Sequence, residues 1–412
     1  CIDLPRLFFV IDIDNNTEII FADNPTIDEI VWTGAKEPLA SITGKAGINN
    51  LQPFGAISSF LKNALQKKQT IHFLPPYRAE TSLQLSEWLE IPVQSLQQKA
   101  SLKLIKGIIA QRSYKTQEEV AEIHKGVDAT AAMQLKAIQL SRPGLTEYEI
   151  AGQIEGVAIS SGGYLSFPSI LTVNGQYLHN HAGSNVLQSG QMVLCDCGAE
   201  TAMHYAGDLT RTFPADKKFS TQQREVYNIV LHAQESAIAA LKPGKLFKDV
   251  HLLACEKLAD GLKQLGLLKG DMKEAVSLGV HTLFFQCGLG HMMGLDVHDM
   301  ENLGEQYVGY TDTLKKSTEF GLKSLRLGKE LEEGFVVTIE PGIYVIPELI
   351  DLWQAEKKHA DFINYDKVNA FRKFGGIRIE EDFLITASGS SLLGKPLAKK
   401  SEEIELLKES SY

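Results

Sequence analysis

The chain has 412 residues, more than one hydrophobic core usually serves, so two domains are expected. Hydrophobic residues make up 44% and charged residues 22%, the balance of an ordinary globular protein. With a formal net charge of −10 and no Lys/Arg run, the chain lacks the basic patch that a nucleic-acid or anionic-membrane surface needs. Charges break the apolar runs well short of a membrane span. The five cysteines, at 1, 195, 197, 255 and 287, are odd in number and irregular in spacing. That argues against a disulfide framework and for a reducing, cytoplasmic setting.

The apolar stretch Leu7 to Ile13 reads as a strand already in progress, so sequence upstream of Cys1 is expected to be missing. Further strands are expected over Thr17 to Phe21 and Thr70 to Leu74, with helices near 56–66 and 81–90. These make residues 1–108 a smaller α/β domain without a motif that suggests chemistry. Thr116-Gln-Glu-Glu119 is a capping box that opens a helix, and the second domain is placed at 109–412. Within it, Ala137-Ile-Gln-Leu-Ser-Arg-Pro-Gly144 and Ala237-Ile-Ala-Ala-Leu-Lys-Pro-Gly244 lie 100 residues apart. Each ends one amphipathic helix and leads into another, the first through a second capping box, Thr146 to Glu149. A duplicated half, a helix pair followed by strands, is the economical reading. The strands are expected at 168–174, 191–197 and 207–213, then at 335–346 and 376–386.

Those strands carry acids where acids are costly. Asp196 sits inside Val193-Leu-Cys-Asp-Cys197, Asp208 inside Tyr205-Ala-Gly-Asp-Leu-Thr-Arg211, and Glu340 ends Phe335-Val-Val-Thr-Ile339. Glu380 lies in Gly376-Ile-Arg-Ile-Glu380, where alternation puts Arg378 and Glu380 on one face and Glu381 on the other. Four bare carboxylates in one core are not tolerable, but two divalent cations would balance them, with His291 completing the shell. Oxygen-rich ligation with one imidazole suits Mn²⁺ first, with Co²⁺, Fe²⁺ and Zn²⁺ as alternatives. Paired ions roughly 3.5–4 Å apart would hold a bridging hydroxide as nucleophile.

Five segments resemble the motif blocks of the prolidase and aminopeptidase P family, in that family's order and across about half the chain. They are Leu-Cys-Asp196-Cys-Gly-Ala-Glu, Ala-Gly-Asp208-Leu-Thr-Arg-Thr-Phe-Pro, Gly-Leu-Gly-His291-Met-Met-Gly-Leu-Asp-Val-His298-Asp, Ile-Glu340-Pro-Gly-Ile-Tyr and Gly-Gly-Ile-Arg378-Ile-Glu380-Glu-Asp. The resemblance implies a pita-bread catalytic fold, of mixed α/β class, behind a smaller N-terminal domain. It implies metal ligands Asp196, Asp208, His291, Glu340 and Glu380, with Glu340 also accepting the proton of the attacking water. His298, near the scissile carbonyl, and Arg378 would line the substrate side. His179, following Leu178 in Tyr-Leu-His-Asn-His-Ala-Gly, matches the family's substrate-side histidine, which leaves His181 structural. Arg326, in Gly321-Leu-Lys-Ser-Leu-Arg-Leu327, resembles the prolidase residue that clamps a dipeptide's free carboxylate, a task that suits a guanidinium. His124, His204, His232, His251 and His281 are read as solvent-facing or core.

Two departures stand out. Asp196 and Asp208 are 12 apart, one more than the family's usual interval, so the connection Ala199 to Ala206 is expected to carry an extra residue or bulge. Cys287 stands four residues before His291, where the family has a histidine, and a thiol is a poorer donor. The reading is an Xaa-Pro dipeptidase acting on peptides with proline second, in a family that often dimerises. The alternatives are aminopeptidase P, acting on longer peptides, and a catalytically impaired peptide-binding or scaffold homologue. Creatinase-like chemistry is disfavoured because that branch works without this metal set.

Overall fold

Two of the early alternating segments become strands: β1 (Phe8–Asp12) and β2 (Thr17–Phe21) pair antiparallel, with Phe8 opposite Phe21. The computed structural model, which describes residue 2 and residues 4–410, adds a two-residue β3 (Leu51–Gln52) parallel to β2. The third expected strand, Thr70 to Leu74, does not form. Pro75 and Pro76 follow it without N–H groups, and the sheet order β1-β2-β3 gives it no partner. It stays extended instead, its Phe73 carbonyl accepting from Ser101 N at 2.9 Å, and Ile71 and Phe73 packing on Ile19, Phe21, Ile57, Leu61 and Trp88. Helices α1 (Ile27–Thr33), α2 (Leu39–Lys45), α3 (Ala56–Gln66), α4 (Ala79–Leu89) and α5 (Val93–Lys99) complete this first unit. Contacts divide the chain into Cys1–Lys106 and Gly107–Tyr412, with α6 (Leu102–Ser113) carrying the chain from one to the other.

In the second unit α7 (Gln117–Leu140) and α8 (Glu147–Ser160) start at the Thr116 and Thr146 capping boxes. Strands β4 (Tyr164–Leu165), β5 (Ile170–Thr172), β6 (Met192–Cys197), β7 (Ala199–Glu200) and β8 (Leu209–Pro214) follow. The second half repeats the plan with α9 (Thr221–Ala239), α10 (Phe247–Gln264), β9 (Val336–Ile339), β10 (Gly342–Tyr344), β11 (Gly376–Arg378), β12 (Glu381–Ile385) and β13 (Ser390–Leu392).

The 100-residue repeat persists down to single backbone bonds. Gly144 N donates to Leu187 O at 2.9 Å and Gly244 N to Leu331 O at 2.8 Å. Both glycines have positive φ, 96° and 78°, which a side chain would resist. Gln134 on α7 donates to the Cys195 and Leu209 carbonyls, and Gln234 on α9 to Ile339 O, so each half ties its first helix to its own strands in the same way. The strands form antiparallel sheets β5-β6-β8 and β13-β12-β9 and a pair β10-β11. Every residue of β6, β8 and β9 is buried, so a charge on any of them is enclosed by protein.

Candidate active site

Register on the first sheet sets Asp196 of β6 opposite Thr210 of β8, with Asp208 just ahead of β8. Gly207 permits the approach of α7 to this turn: a Cβ there would meet the Gly126 carbonyl carbon at 2.6 Å. The connection between the two acids turns at Thr201 to Tyr205, where Thr201 N donates to Tyr205 O and His204 takes a left-handed φ of 63°. From the other half, Glu340 N donates to Leu289 O and Thr338 N to His291 O, which bind the Gly-Leu-Gly-His291 segment along β9. Gly290 lies so close that a Cβ would fall 2.0 Å from Thr338 O. Glu380 N donates to Thr210 O at 3.1 Å and brings the last acid alongside β8.

These contacts gather the expected residues. Single ligand atoms of Asp208, His291 and Glu380 lie within 4.8 Å of one another, and all three residues are buried. His291 Nε2 is 3.5 Å from Asp208 Oδ2 and 3.7 Å from Glu340 Oε1. Its Nδ1 faces the Met292 carbonyl at 3.1 Å, which places the ring proton there and the lone pair on Nε2, toward the acids. Asp196 Oδ1 and Asp208 Oδ1 are buried and have no hydrogen-bond partner among the described residues. Burial, reinforced by the neighbouring carboxylates, raises Asp208 above its usual range, pushes Glu340 up to about 7 and drives Glu380 well above its ordinary value. Clustered acids with orphaned oxygens and a lone pair aimed among them are what a divalent cation fits.

The surrounding shell contains residues that spacing alone did not single out. Thr210 Oγ1 donates to Glu380 Oε2 at 2.6 Å and accepts from Arg378 Nε at 3.2 Å. Thr338 Oγ1 accepts from His291 N, and Asp382 Oδ2 from Asp208 N at 3.1 Å. Asp382 lies two residues beyond Glu380, so strand alternation was the available signal for it.

Arg378 departs from its expected place on the substrate side. It is 2% exposed, and its guanidinium donates to Asp196 Oδ2 at 2.5 Å, Tyr344 OH at 2.9 Å and Thr210 Oγ1. It stands behind the acids and orients Asp196, because a lone guanidinium this deep is tolerable only when fully bonded. His298 is half-buried, edge-on to His291 with ring centroids 4.4 Å apart, and hydrogen-bonds Glu301 Oε2 through Nδ1 at 2.8 Å. Burial first, then the Arg326 charge and the neighbouring His291 and His179 rings, which disfavour a further proton, push its pKa down to about 2, so the ring is neutral. Arg326 pairs with both Glu301 and Glu305. His179 is exposed, within the fields of Arg378, Asp196 and Arg326, while His181 Nδ1 contacts the Ser169 carbonyl at 3.2 Å. The Cys287 thiol lies beside Tyr344 and is held protonated, pushed up to about 12 by burial and the Glu340 charge.

No helix among the described residues is long and apolar enough to cross a membrane. Residues 121–387 match the model of metallopeptidase family M24. The chain is 31% identical over 409 residues to an Xaa-Pro dipeptidase of Homo sapiens, covering 97% of this chain and 80% of that one. It is 29% identical over 406 residues to an Xaa-Pro aminopeptidase of Escherichia coli K12, covering 96% and 83%. Among solved structures it resembles zinc-substituted E. coli aminopeptidase P in complex with product, with TM-score 0.78, 27% identity, and 100% and 87% of the two chains covered. The family works with divalent metal, and the architecture of the second unit is its pita-bread fold. The chain belongs to metallopeptidase family M24.

Proposed function

We propose that this metallopeptidase hydrolyses the bond between a first residue and a proline, as an Xaa-Pro dipeptidase holding two divalent ions, Mn²⁺ by preference. The observation that carries the reading is the enclosure of Asp208, His291 and Glu380 within 4.8 Å, with Glu340 3.7 Å from His291 and the orphaned Asp196 Oδ1 beside them. Asp196, Asp208, His291, Glu340 and Glu380 would hold the ions, which when bound polarise the scissile carbonyl and acidify water. The likeness to a human Xaa-Pro dipeptidase supports the substrate class.

The chain's own groups do the rest. The Glu340 side chain, 20% exposed, is more open than those of Asp196 and Asp208, at 12% and 7%, so it is the acid placed to exchange protons with an incoming water. It takes the proton from the attacking oxygen and returns it to the departing proline nitrogen, which has no N–H of its own in the peptide. Arg378 orients Asp196 by donating to its Oδ2. Glu301 fixes the His298 ring with the proton on Nδ1 and the lone pair on Nε2, toward the substrate side. Arg326 would receive the dipeptide carboxylate.

A second reading, aminopeptidase P, is favoured by one observation: Glu301 and Glu305 already neutralise Arg326, and a dipeptide carboxylate must displace them. Comparing Ala-Pro with Ala-Pro-Ala in the wild type and Arg326→Ala decides the matter. The dipeptidase reading expects KM for Ala-Pro to rise by the equivalent of about 2–3 kcal/mol, with a smaller loss on the tripeptide. Equal losses on both peptides would assign the longer-peptide activity.

A further inference from the structure

A second group of metal-ligating side chains lies outside the acid cluster. His251 and Cys255 stand one turn apart on α10, and His281, from the 3₁₀ turn Val280–Leu283, reaches the same point. The three residues are 1%, 0% and 3% exposed, and one ligand atom from each lies within 4.8 Å of the other two. His251 Nε2 is 3.4 Å from Cys255 Sγ. With zinc bonds of about 2.3 Å to sulfur and 2.0–2.1 Å to nitrogen, two ligands on one tetrahedral ion stand roughly 3.5 Å apart. The pair is therefore already at ligand spacing.

A thiol–imidazole hydrogen bond accounts for Cys255 and one nitrogen of His251 only. His251 Nδ1 and His281 Nδ1 are both buried with no hydrogen-bond partner among the described residues, and a purely structural role gives no reason to assemble three such groups. One sulfur with two imidazoles is also a softer donor set than the acids around His291, and it suits a different ion.

We infer that His251, Cys255 and His281 form a second metal site that binds a borderline divalent ion, Zn²⁺ foremost, with its fourth position taken by water. On binding, the Cys255 S–H bond breaks, the sulfur keeps the electron pair as the metal–thiolate bond forms, and the proton leaves to solvent. Both imidazoles are neutral beforehand, since burial pushes His251 down to about 3 and His281 to about 4, so only that one proton is displaced. The ion would tie α10 to the segment that runs through Cys287 to His291. It would act as a brace for that segment, apart from the hydrolytic chemistry.

Cobalt(II) is the probe, because thiolate-to-cobalt charge transfer absorbs in the near ultraviolet and the acid cluster offers only oxygen and imidazole. The full chain loaded with Co²⁺ should show this band at one thiolate-bound ion per chain. The band should survive in a combined Asp208→Asn, Glu380→Gln variant and in Cys287→Ser, and be lost in Cys255→Ser. His281→Asn, in which the thiol remains, should weaken the band-forming affinity by more than about tenfold. Absence of the band from the wild-type chain overturns the proposal whatever the variants do. Its loss in Cys287→Ser with retention in Cys255→Ser overturns it too, by assigning the thiolate to the acid cluster's rim.

Discussion

Two faces of one stretch of structure carry charge in opposite ways. On one, Arg211 of β8 is fully buried and meets Glu381 at 2.9 Å, Lys399 meets the other Glu381 oxygen at 2.7 Å, and the remaining Arg211 donors reach the carbonyls of Thr210, Glu380, Leu397 and Ala398. Every charge there has a protein partner. On the opposite face, three residues before Arg211 and one before Glu381, Asp208 and Glu380 join Asp196, Glu340 and Asp382, with Arg378 as the buried guanidinium among them. Both faces are equally enclosed, so burial does not separate structure from function here. Completeness of partnering does: the balanced face holds the fold, and the unbalanced face holds charge suited to a divalent cation.

The largest effect expected from this contrast is chemical. Glu340→Gln keeps the shape of the unbalanced face and removes a proton acceptor, so kcat should fall about 10²–10⁴-fold. The metal-free protein should be no less stable than wild type. A loss of stability matching the loss of activity would show that Glu340 belongs with the balanced charges after all.

Arg211→Met should do the reverse. It strands Glu381 in the interior with Lys399 as its remaining cation, and breaking a buried pair in this way costs about 3–5 kcal/mol. Urea denaturation of the metal-free variant reads this directly. A midpoint close to wild type would mean that Lys399 alone satisfies Glu381, and the two faces would then differ less than the hydrogen bonds indicate.

The pH dependence of the metal-free protein sharpens the contrast further. Glu340 titrates near 4.5 in an unfolded chain and at about 7 when folded, because of burial first and the charges of Asp208 and Asp196 after it. As pH rises from 4.5, the unfolded state loses this proton before the folded state does. The stabilisation present below 4.5 is therefore lost on the way to 7, by up to about 3 kcal/mol. Urea midpoints taken in chelator at both pH values should show this slope in wild type and a reduced one in Glu340→Gln. Added Mn²⁺ should abolish it. An identical slope in the two proteins would remove Glu340 from the uncompensated set.

Much of the unbalanced face was legible because its residues sit in strands, where an acid among Val, Leu and Ile breaks a simple period and flanking motifs fix its place. Asp196, Asp208, Glu340 and Glu380 were found this way, as were the capping boxes and the 100-residue repeat. Hidden from the sequence was whatever depends on contacts between distant segments. Arg378 shares a strand face with Glu380, which suggested a role toward substrate, but whether its guanidinium turns outward or back to Asp196 depends on a residue 182 positions away. His251 and Cys255 have ligand spacing on a helix, yet their third partner comes from a turn outside that helix. In the first unit, Thr70 to Leu74 has strand composition without a strand to pair with, and the two-residue β3 is too short to show any period.

The smallest expected effect concerns Cys287, which touches both kinds of environment. The thiol packs against the hydrophobic core, lies beside Tyr344, itself bonded to Arg378, and feels the Glu340 charge. With its pKa pushed up to about 12 it remains a neutral thiol, so beside the acids it adds no charge and offers only a weak donor. An imidazole there reaches further and can deliver a proton to charge developing near Glu340. Cys287→His should therefore raise kcat on Ala-Pro by about 10- to 100-fold. Cys287→Ser, which keeps a short donor, should stay near wild type at equal metal content. The comparison must be made on kcat with metal measured in each protein, since a histidine could also draw in an ion and change occupancy. A rise in kcat at unchanged occupancy makes Cys287 the point at which this chain gives up catalytic power, while equal turnover in all three proteins assigns the position to packing alone.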